Sequence, residues 1–221
     1  MGPPSLARLA GPLAKAVGVG GLLYGALFFW IVQGAPDWVP DVWFALLLVG
    51  ALLGVPVLVA VYQRVQPVDD GLALTGLLLG LAGAMGGAVH GAFNLASLIN
   101  PDSVGTGASP DPGGVFRYLT AGLALAVIGW LVTAAPAGSG PSGVSGLPVR
   151  LGQLALGSGA VLVFIYVGRL YDFITPATKF TLIPPLLYGL VLHPALYLWL
   201  GRLLSPPPNS PLASGAEATN T

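Results

Sequence analysis

Six long apolar segments constrain the fold more than any other feature of this 221-residue sequence. The hydrocarbon core of a bilayer is about 30 Å thick, so a helix that crosses it needs about 20 mostly apolar residues. Strands of a membrane barrel would be about 10 residues long and would alternate in polarity, and no segment shows that alternation. The sequence therefore predicts an all-α, polytopic transmembrane bundle. Its six helices cover approximately residues 16–32, 42–62, 72–99, 116–135, 149–174 and 180–204.

The composition supports a membrane protein and excludes several other classes. Only 7% of the residues are charged and 55% are hydrophobic, whereas soluble domains carry about 25% charged residues. Eight basic residues balance eight acidic ones, so no net charge favours nucleic acid binding. The chain contains no Cys, which excludes disulfide bonds, thiolate metal sites and cysteine nucleophiles.

The chain divides into three parts. Residues 1–15, with Pro3, Pro4 and Pro12, are expected to form a cytoplasmic lead-in, and residues 16–204 the six-helix transmembrane domain. Residues 205–221 open with three consecutive prolines and are expected to be a disordered tail. A cleaved signal peptide is the alternative interpretation of the first helix, although its apolar run is longer than a usual signal sequence. At the second helix, Asp41 is the expected N-cap.

The basic residues near the helix ends predict the orientation. Cytoplasmic loops carry an excess of Lys and Arg, and with six helices both termini share one side. That side would hold five basic residues and the opposite side three, so we expect both termini in the cytoplasm. The five basic residues are Arg8, Lys15, Arg64, Arg150 and Arg202, and the three are Arg117, Arg169 and Lys179.

The high Gly and Ala content is typical of a bacterial genome, which indicates a bacterial inner membrane.

No motif of a soluble or intramembrane enzyme is present. The sequence lacks a phosphate-binding loop, a His-Glu-x-x-His zinc motif and a Gly-x-Ser-x-Gly nucleophile motif. We therefore expect neither catalytic residues nor a metal centre.

Small residues at helical spacing mark two helices as packing elements. Such stripes let helix backbones approach closely, and van der Waals contact is what associates helices in lipid. The stripe packs either within the bundle or against a second copy or another membrane protein. Its members are Gly76, Gly80, Gly83, Gly87 and Gly91 on the third helix, and Gly21 and Gly25 on the first.

Ionisable groups inside a membrane helix are costly and are candidates for function. Arg169 lies about 27 Å along the fifth helix and reaches the level of His90 on the third. Asp172 follows Arg169 at i+3 and is expected to pair with it. If the third and fifth helices are neighbours, His90 should hydrogen-bond to Tyr166 or Arg169, and Asn94 lies one turn beyond it. The cluster is either a structural ion pair or an outward-opening site for a small anionic or polar ligand.

The two histidines allow a haem alternative. His90 and His193 both stand in glycine-containing helical segments, and either could ligate haem b. Their depths differ by roughly 15 Å, which argues against one iron between them. A hydrogen-bonded histidine within the bundle is the other interpretation of each. Pro194 lies inside the sixth helix and frees a backbone carbonyl, so a kink is expected beside His193.

Two short motifs resemble a known family. They are the Leu-Pro-x-x-Leu-Gly opening of the fifth helix, from Leu147 to Gly152, and the Ala-Arg-Leu-Ala-Gly run from Ala7 to Gly11. With the apolar hairpins they resemble a bacterial family of six-helix membrane proteins known only as a domain of unknown function. The resemblance implies the architecture and no assigned activity.

Three functions are compatible with these features. The first expectation is a non-catalytic membrane protein, an accessory or scaffold subunit that packs against other membrane helices or against its own copy. The second is a protein that translocates a small molecule or ion and uses the cluster around Arg169. The third is a haem-binding electron carrier. The lipid bilayer is the partner common to all three.

Overall fold

The computed structural model describes residues 5–100, 112–134, 146–172 and 182–205, without the side chains of residues 5–7, 112–113 and 171–172. This part of the chain is all-α and contains six helices long and apolar enough to cross a membrane, which confirms the predicted bundle. They are α1 (Ser5–Val32), α2 (Trp38–Val65), α3 (Asp70–Ile99), α4 (Pro112–Ala134), α5 (Val149–Asp172) and α6 (Ile183–Leu204).

The first four helices begin earlier than the sequence predicts, and the difference is largest for α1. α1 starts at Ser5 and includes Pro12, so most of the expected lead-in is helical. Tertiary packing explains the extension, because Ala10 and Ala14 are buried in the core. α2 starts at Trp38 with Asp37 at the N-cap position. The prediction of Asp41 as N-cap is therefore wrong: Asp41 lies in the first turn, where its charge still complements the helix dipole.

The six helices form a closed ring in chain order. Each packs against its neighbours in sequence, and α6 returns to pack against α1. α4 lies between α3 and α5, which are not packed against each other. The neighbourhood of α3 and α5 on which the predicted polar cluster depends is therefore not present. The seam between α5 and α6 has the thinnest packing of the ring.

The glycine stripes face neighbouring helices of the same chain. All five stripe glycines of α3 are buried. A Cβ at Gly83 would lie 2.9 Å from the backbone nitrogen of Ala121 on α4, and one at Gly91 would lie 2.9 Å from that of Leu48 on α2. On α1, Gly25 meets the backbone of Gly189 on α6. The stripes are thus occupied by packing within the bundle.

The α4–α5 contact uses glycines that the sequence analysis did not single out. A Cβ on Gly129 would lie 2.7 Å from the carbonyl oxygen of Gly152, and one on Gly159 would lie 2.6 Å from that of Gly122. These two crossings bring the backbones of α4 and α5 into direct contact, as small residues permit in lipid.

The two ends of the bundle differ in packing. We call the end with the start of α1 and the end of α6 the proximal end, and the opposite one the distal end. The buried apolar core lies toward the proximal end and receives side chains from every helix. The largest fully buried members are Val57, Val65, Leu131, Leu147 and Leu196.

Candidate functional site

A cavity of about 240 Å³ lies inside the ring on the distal side of this core. All six helices contribute to its wall, which is mostly apolar. For scale, an engineered protein cavity of about 150 Å³ binds benzene. The cavity therefore has room for a ring-sized molecule that carries a further substituent.

Glycines on α1 and α2 keep the cavity open. Gly20, Gly50 and Gly54 line it, and a Cβ at any of the three would have no atom within 4 Å. Neighbouring helices therefore do not fill the space that these missing side chains leave. Bulkier residues here would occupy the cavity itself.

Arg117 of α4 is the central polar residue of the wall. Only 8% of its surface is exposed, although it carries a charge. Its Nη2 donates hydrogen bonds to the hydroxyls of Tyr118, at 2.7 Å, and Tyr24, at 3.1 Å. Its guanidinium carbon also lies 4.6 Å from the centre of the Tyr118 ring, in a cation–π contact.

The hydrogen bonds of Arg117 leave part of the guanidinium unused. A guanidinium has five N–H donors, and the two bonds from Nη2 use both hydrogens of that nitrogen. Nε is buried and has no hydrogen-bond partner among the described residues. Buried charges in proteins are usually paired with an opposite charge, but the two hydrogen-bond partners of Arg117 are hydroxyls.

An aromatic wall flanks Arg117 on the side of α1 and α2. Tyr24 stacks on Trp43 with ring centres 4.8 Å apart, and Phe28 stacks on the same indole at 5.9 Å. All three side chains line the cavity. The indole nitrogen of Trp43 is buried and has no hydrogen-bond partner in the described part of the chain, so a second unused donor lies in the wall.

Arg169 of α5 adds a second positive charge to the wall. It lines the cavity from an exposed position. Among the side chains that the structure describes, no carboxylate lines the cavity. The predicted pairing of Arg169 with Asp172 lies outside the side chains that the structure describes.

α6 contributes a row of packed aromatic side chains and an irregular backbone segment to the cavity wall. Residues Tyr188–Leu192 form a π-helical segment, and Pro194 follows in the first turn of the next α-helical segment. The irregularity expected beside His193 is thus a π-helical segment, a feature often found at functional sites. His193 packs between the rings of Tyr188 and Tyr197 and lines the cavity.

The imidazole of His193 is held against α1. Its Nδ1 is buried with no hydrogen-bond partner among the described residues, and it packs directly onto Gly21. Only a glycine leaves room for the ring at this crossing. Gly21 therefore sets how closely α6 approaches α1.

The residues of the cluster predicted around His90 lie in separate parts of the bundle. His90 packs between α2 and α4, against Phe44 and Gly114, and does not line the cavity. Its Nδ1 lies 3.0 Å from Nδ2 of Asn94 on its own helix. The prediction of a bond from His90 to Tyr166 or Arg169 is wrong because α4 separates α3 from α5. Tyr166 lies outside the cavity wall, and Arg169 is the one member of this cluster, among those whose side chains the structure describes, that lines it.

The functional residues that sequence reasoning missed are Arg117, Tyr24, Tyr118 and Trp43. Arg117 entered the sequence analysis only as a topological charge. Its position within an apolar segment is nevertheless the signal that marks an ionisable residue as a functional candidate. The aromatic residues carry no comparable signal, since Trp and Tyr are common near membrane surfaces.

The positions of the histidines bear on cofactor binding. His193 lines the cavity and His90 does not, so haem ligation by either residue stays a prediction. Within the described ranges, no three His, Asp or Glu side chains gather in a group that could hold a metal ion.

The arrangement is suited to binding. Its chemistry consists of hydrogen-bond donors and positive charge at one side of an apolar, aromatic cavity. Comparison with protein-family models, with curated proteins and with solved structures finds no match to the chain.

Proposed function

We propose that this chain is a membrane protein that binds a small molecule in the central cavity and translocates it, the second of the three functions expected from the sequence. The observation that carries the proposal is the cavity of about 240 Å³ lined by all six helices. Ligand pockets combine apolar walls with a few convergent polar groups, and Arg117, Arg169 and Trp43 are such groups here.

The packing of the rest of the bundle supports a binding role for the cavity. The close backbone contact of Gly129 with Gly152 leaves no room for a ligand between α4 and α5 at that crossing. A further cavity, of about 30 Å³, lies in the apolar core and has room for about one water. The cavity beside Arg117 is therefore much larger than this space in the core.

The accessory-subunit expectation rested on the missing motifs, the short loops and the glycine faces available to a partner, and of these only the glycine faces bear on docking. Gly76, Gly80, Gly83, Gly87 and Gly91 are buried within the bundle, so they supply no argument for docking. The resemblance to a six-helix family of unknown function is likewise a proposal about architecture alone.

A pair of matched substitutions tests whether the cavity binds a ligand. Gly54→Phe places a ring in the open space of the cavity, whereas Gly157→Phe places one on an exposed position of α5 that also has no atom within 4 Å. The probes are benzoate, benzamide and benzylammonium, which share one ring. We expect saturable binding of at least one probe to the wild type in nanodiscs by saturation-transfer NMR.

The two variants should then separate. Gly157→Phe should bind that probe as the wild type does, while Gly54→Phe should lose the saturable signal. If no probe binds, or if Gly54→Phe binds as well as Gly157→Phe, the cavity is not a binding site for ring-sized molecules. Uptake of the bound probe into proteoliposomes tests translocation; binding without uptake would contradict that step.

We also propose a bacterial inner-membrane location with both termini in the cytoplasm. The support is the distribution of basic residues, five on the side of the termini and three on the other. In this orientation the cavity, Arg117 and Arg169 lie toward the periplasmic half of the membrane.

A further inference from the structure

We propose that the cavity selects an organic anion: a single carboxylate, or a like acidic group, on an apolar body of about ring size. This inference rests on the proposed function, because it names the class of ligand that the same cavity takes. Its basis is the charge and the unused donors of the wall.

The charge balance of the wall favours an anion. Two guanidiniums, of Arg117 and Arg169, line the cavity, and no carboxylate does among the side chains that the structure describes. The direct partners of Arg117 are the neutral hydroxyls of Tyr24 and Tyr118. A charge removed from water is costly unless it is paired, and a bound anion would supply the missing pair.

The donor geometry of Arg117 points the same way. Its bonds to the two tyrosines use both hydrogens of Nη2 and hold the planar guanidinium in place. The Nε–H donor is buried and has no partner among the described residues, so it is available for a charge-assisted hydrogen bond to a carboxylate oxygen. The tyrosines therefore orient Arg117 and leave Nε for the ligand.

The remainder of the wall suits an apolar, flat body. Phe28 and the Tyr24–Trp43 stack supply ring faces, and the open positions at Gly50 and Gly54 supply space. A cation would meet two guanidiniums, and a neutral molecule would leave the charge of Arg117 unpaired. The side with Arg117 thus selects ligands by charge, and the side with the aromatic rings and glycines selects them by size.

The three probes of equal ring size measure this selectivity. Charge-assisted hydrogen bonds are about twice as strong as neutral ones, so benzoate should bind at least about tenfold more tightly than benzamide. Benzylammonium should not bind. Arg117→Gln should reduce benzoate affinity to near that of benzamide, and Arg117→Lys should recover part of the difference because it keeps the charge but not the position of the Nε donor.

Two further variants serve as a positional comparison. Arg169→Gln should weaken benzoate binding less than Arg117→Gln does, since its exposed charge is screened by water. Arg150→Gln removes an exposed charge at the proximal end of α5 and should leave affinity unchanged. The benzamide affinity reports whether Arg117→Gln retains a formed cavity.

The outcomes separate this inference from the proposed function. Equal affinity for benzoate and benzamide, both lost in Gly54→Phe, would overturn the anion inference and keep the binding function. A benzoate preference that survives Arg117→Gln would overturn the role of Arg117. If dodecanoate displaces benzoate at lower concentration than hexanoate does, the anion comes from the bilayer; the reverse order indicates a water-soluble acid.

Discussion

At the residue scale, the polar atoms that matter are those without partners. Arg117 and Trp43 carry unused donors and line the cavity, so a ligand there could satisfy these donors. Ser158 of α5 is different: none of its surface is exposed, it does not line the cavity, and its Oγ has no hydrogen-bond partner among the described residues. A buried hydroxyl without a bond lowers stability and has no ligand to satisfy it.

We therefore expect Ser158→Ala to stabilise the protein. Burial of an unbonded hydroxyl costs about 1–3 kcal/mol, so the thermal unfolding midpoint should rise. Thr120→Val is the matched control, since Thr120 is equally buried but donates to the carbonyl of Phe116 at 3.1 Å. Its loss should cost about 0.6 kcal/mol, a typical hydrogen bond in a membrane bundle. A lower midpoint for Ser158→Ala would show that its hydroxyl is bonded.

At the element scale, the α1–α6 contact depends on which glycine faces which helix. Gly20 and Gly21 are consecutive and both line the cavity, but only Gly21 lies against the imidazole of His193. Composition and spacing give no difference between these two residues. They differ because the rotation of α1 about its axis turns only Gly21 toward His193.

Gly21→Ala should destabilise the bundle by about 1–3 kcal/mol, the usual cost of overpacking a well-packed contact. Gly20→Ala should be neutral or should gain up to about 1 kcal/mol, because alanine is the better helix former. Thermal unfolding in detergent measures both. If His193 is the cause, Gly21→Ala should cost less in a His193→Ala background; an unchanged cost would assign the effect to another contact.

At the scale of the whole molecule, the ring places the cavity toward the distal end and the packed core toward the proximal end. The orientation proposed from basic residues can be tested with single cysteines, because the native chain has none. A cysteine at Ser109 should react with an impermeant maleimide from outside the cell, and one at Ser142 only after permeabilisation. The reverse pattern would place the cavity toward the cytoplasm.

The number and extent of the membrane helices follow from the sequence because hydropathy is a local property. Six apolar runs were enough to predict an all-α bundle, and only the start of α1 was displaced by tertiary packing against α6. A helix that is apolar all round carries no indication of which face meets which neighbour. For that reason the ring order, and with it the separation of His90 from α5, could not be predicted.

For the candidate site, too, some features follow from the sequence and others depend on packing. The sequence places Arg117 and Arg169 within or beside apolar segments, at comparable distances from the helix ends. That both arginines line one cavity and that Tyr24 and Tyr118 orient Arg117 is seen only in the folded bundle, as is the pairing of Asn94 with His90 elsewhere. The physical reason is that a charge in a helix has a depth set by its position in the chain, whereas its partners depend on how six helices rotate to bury their glycines.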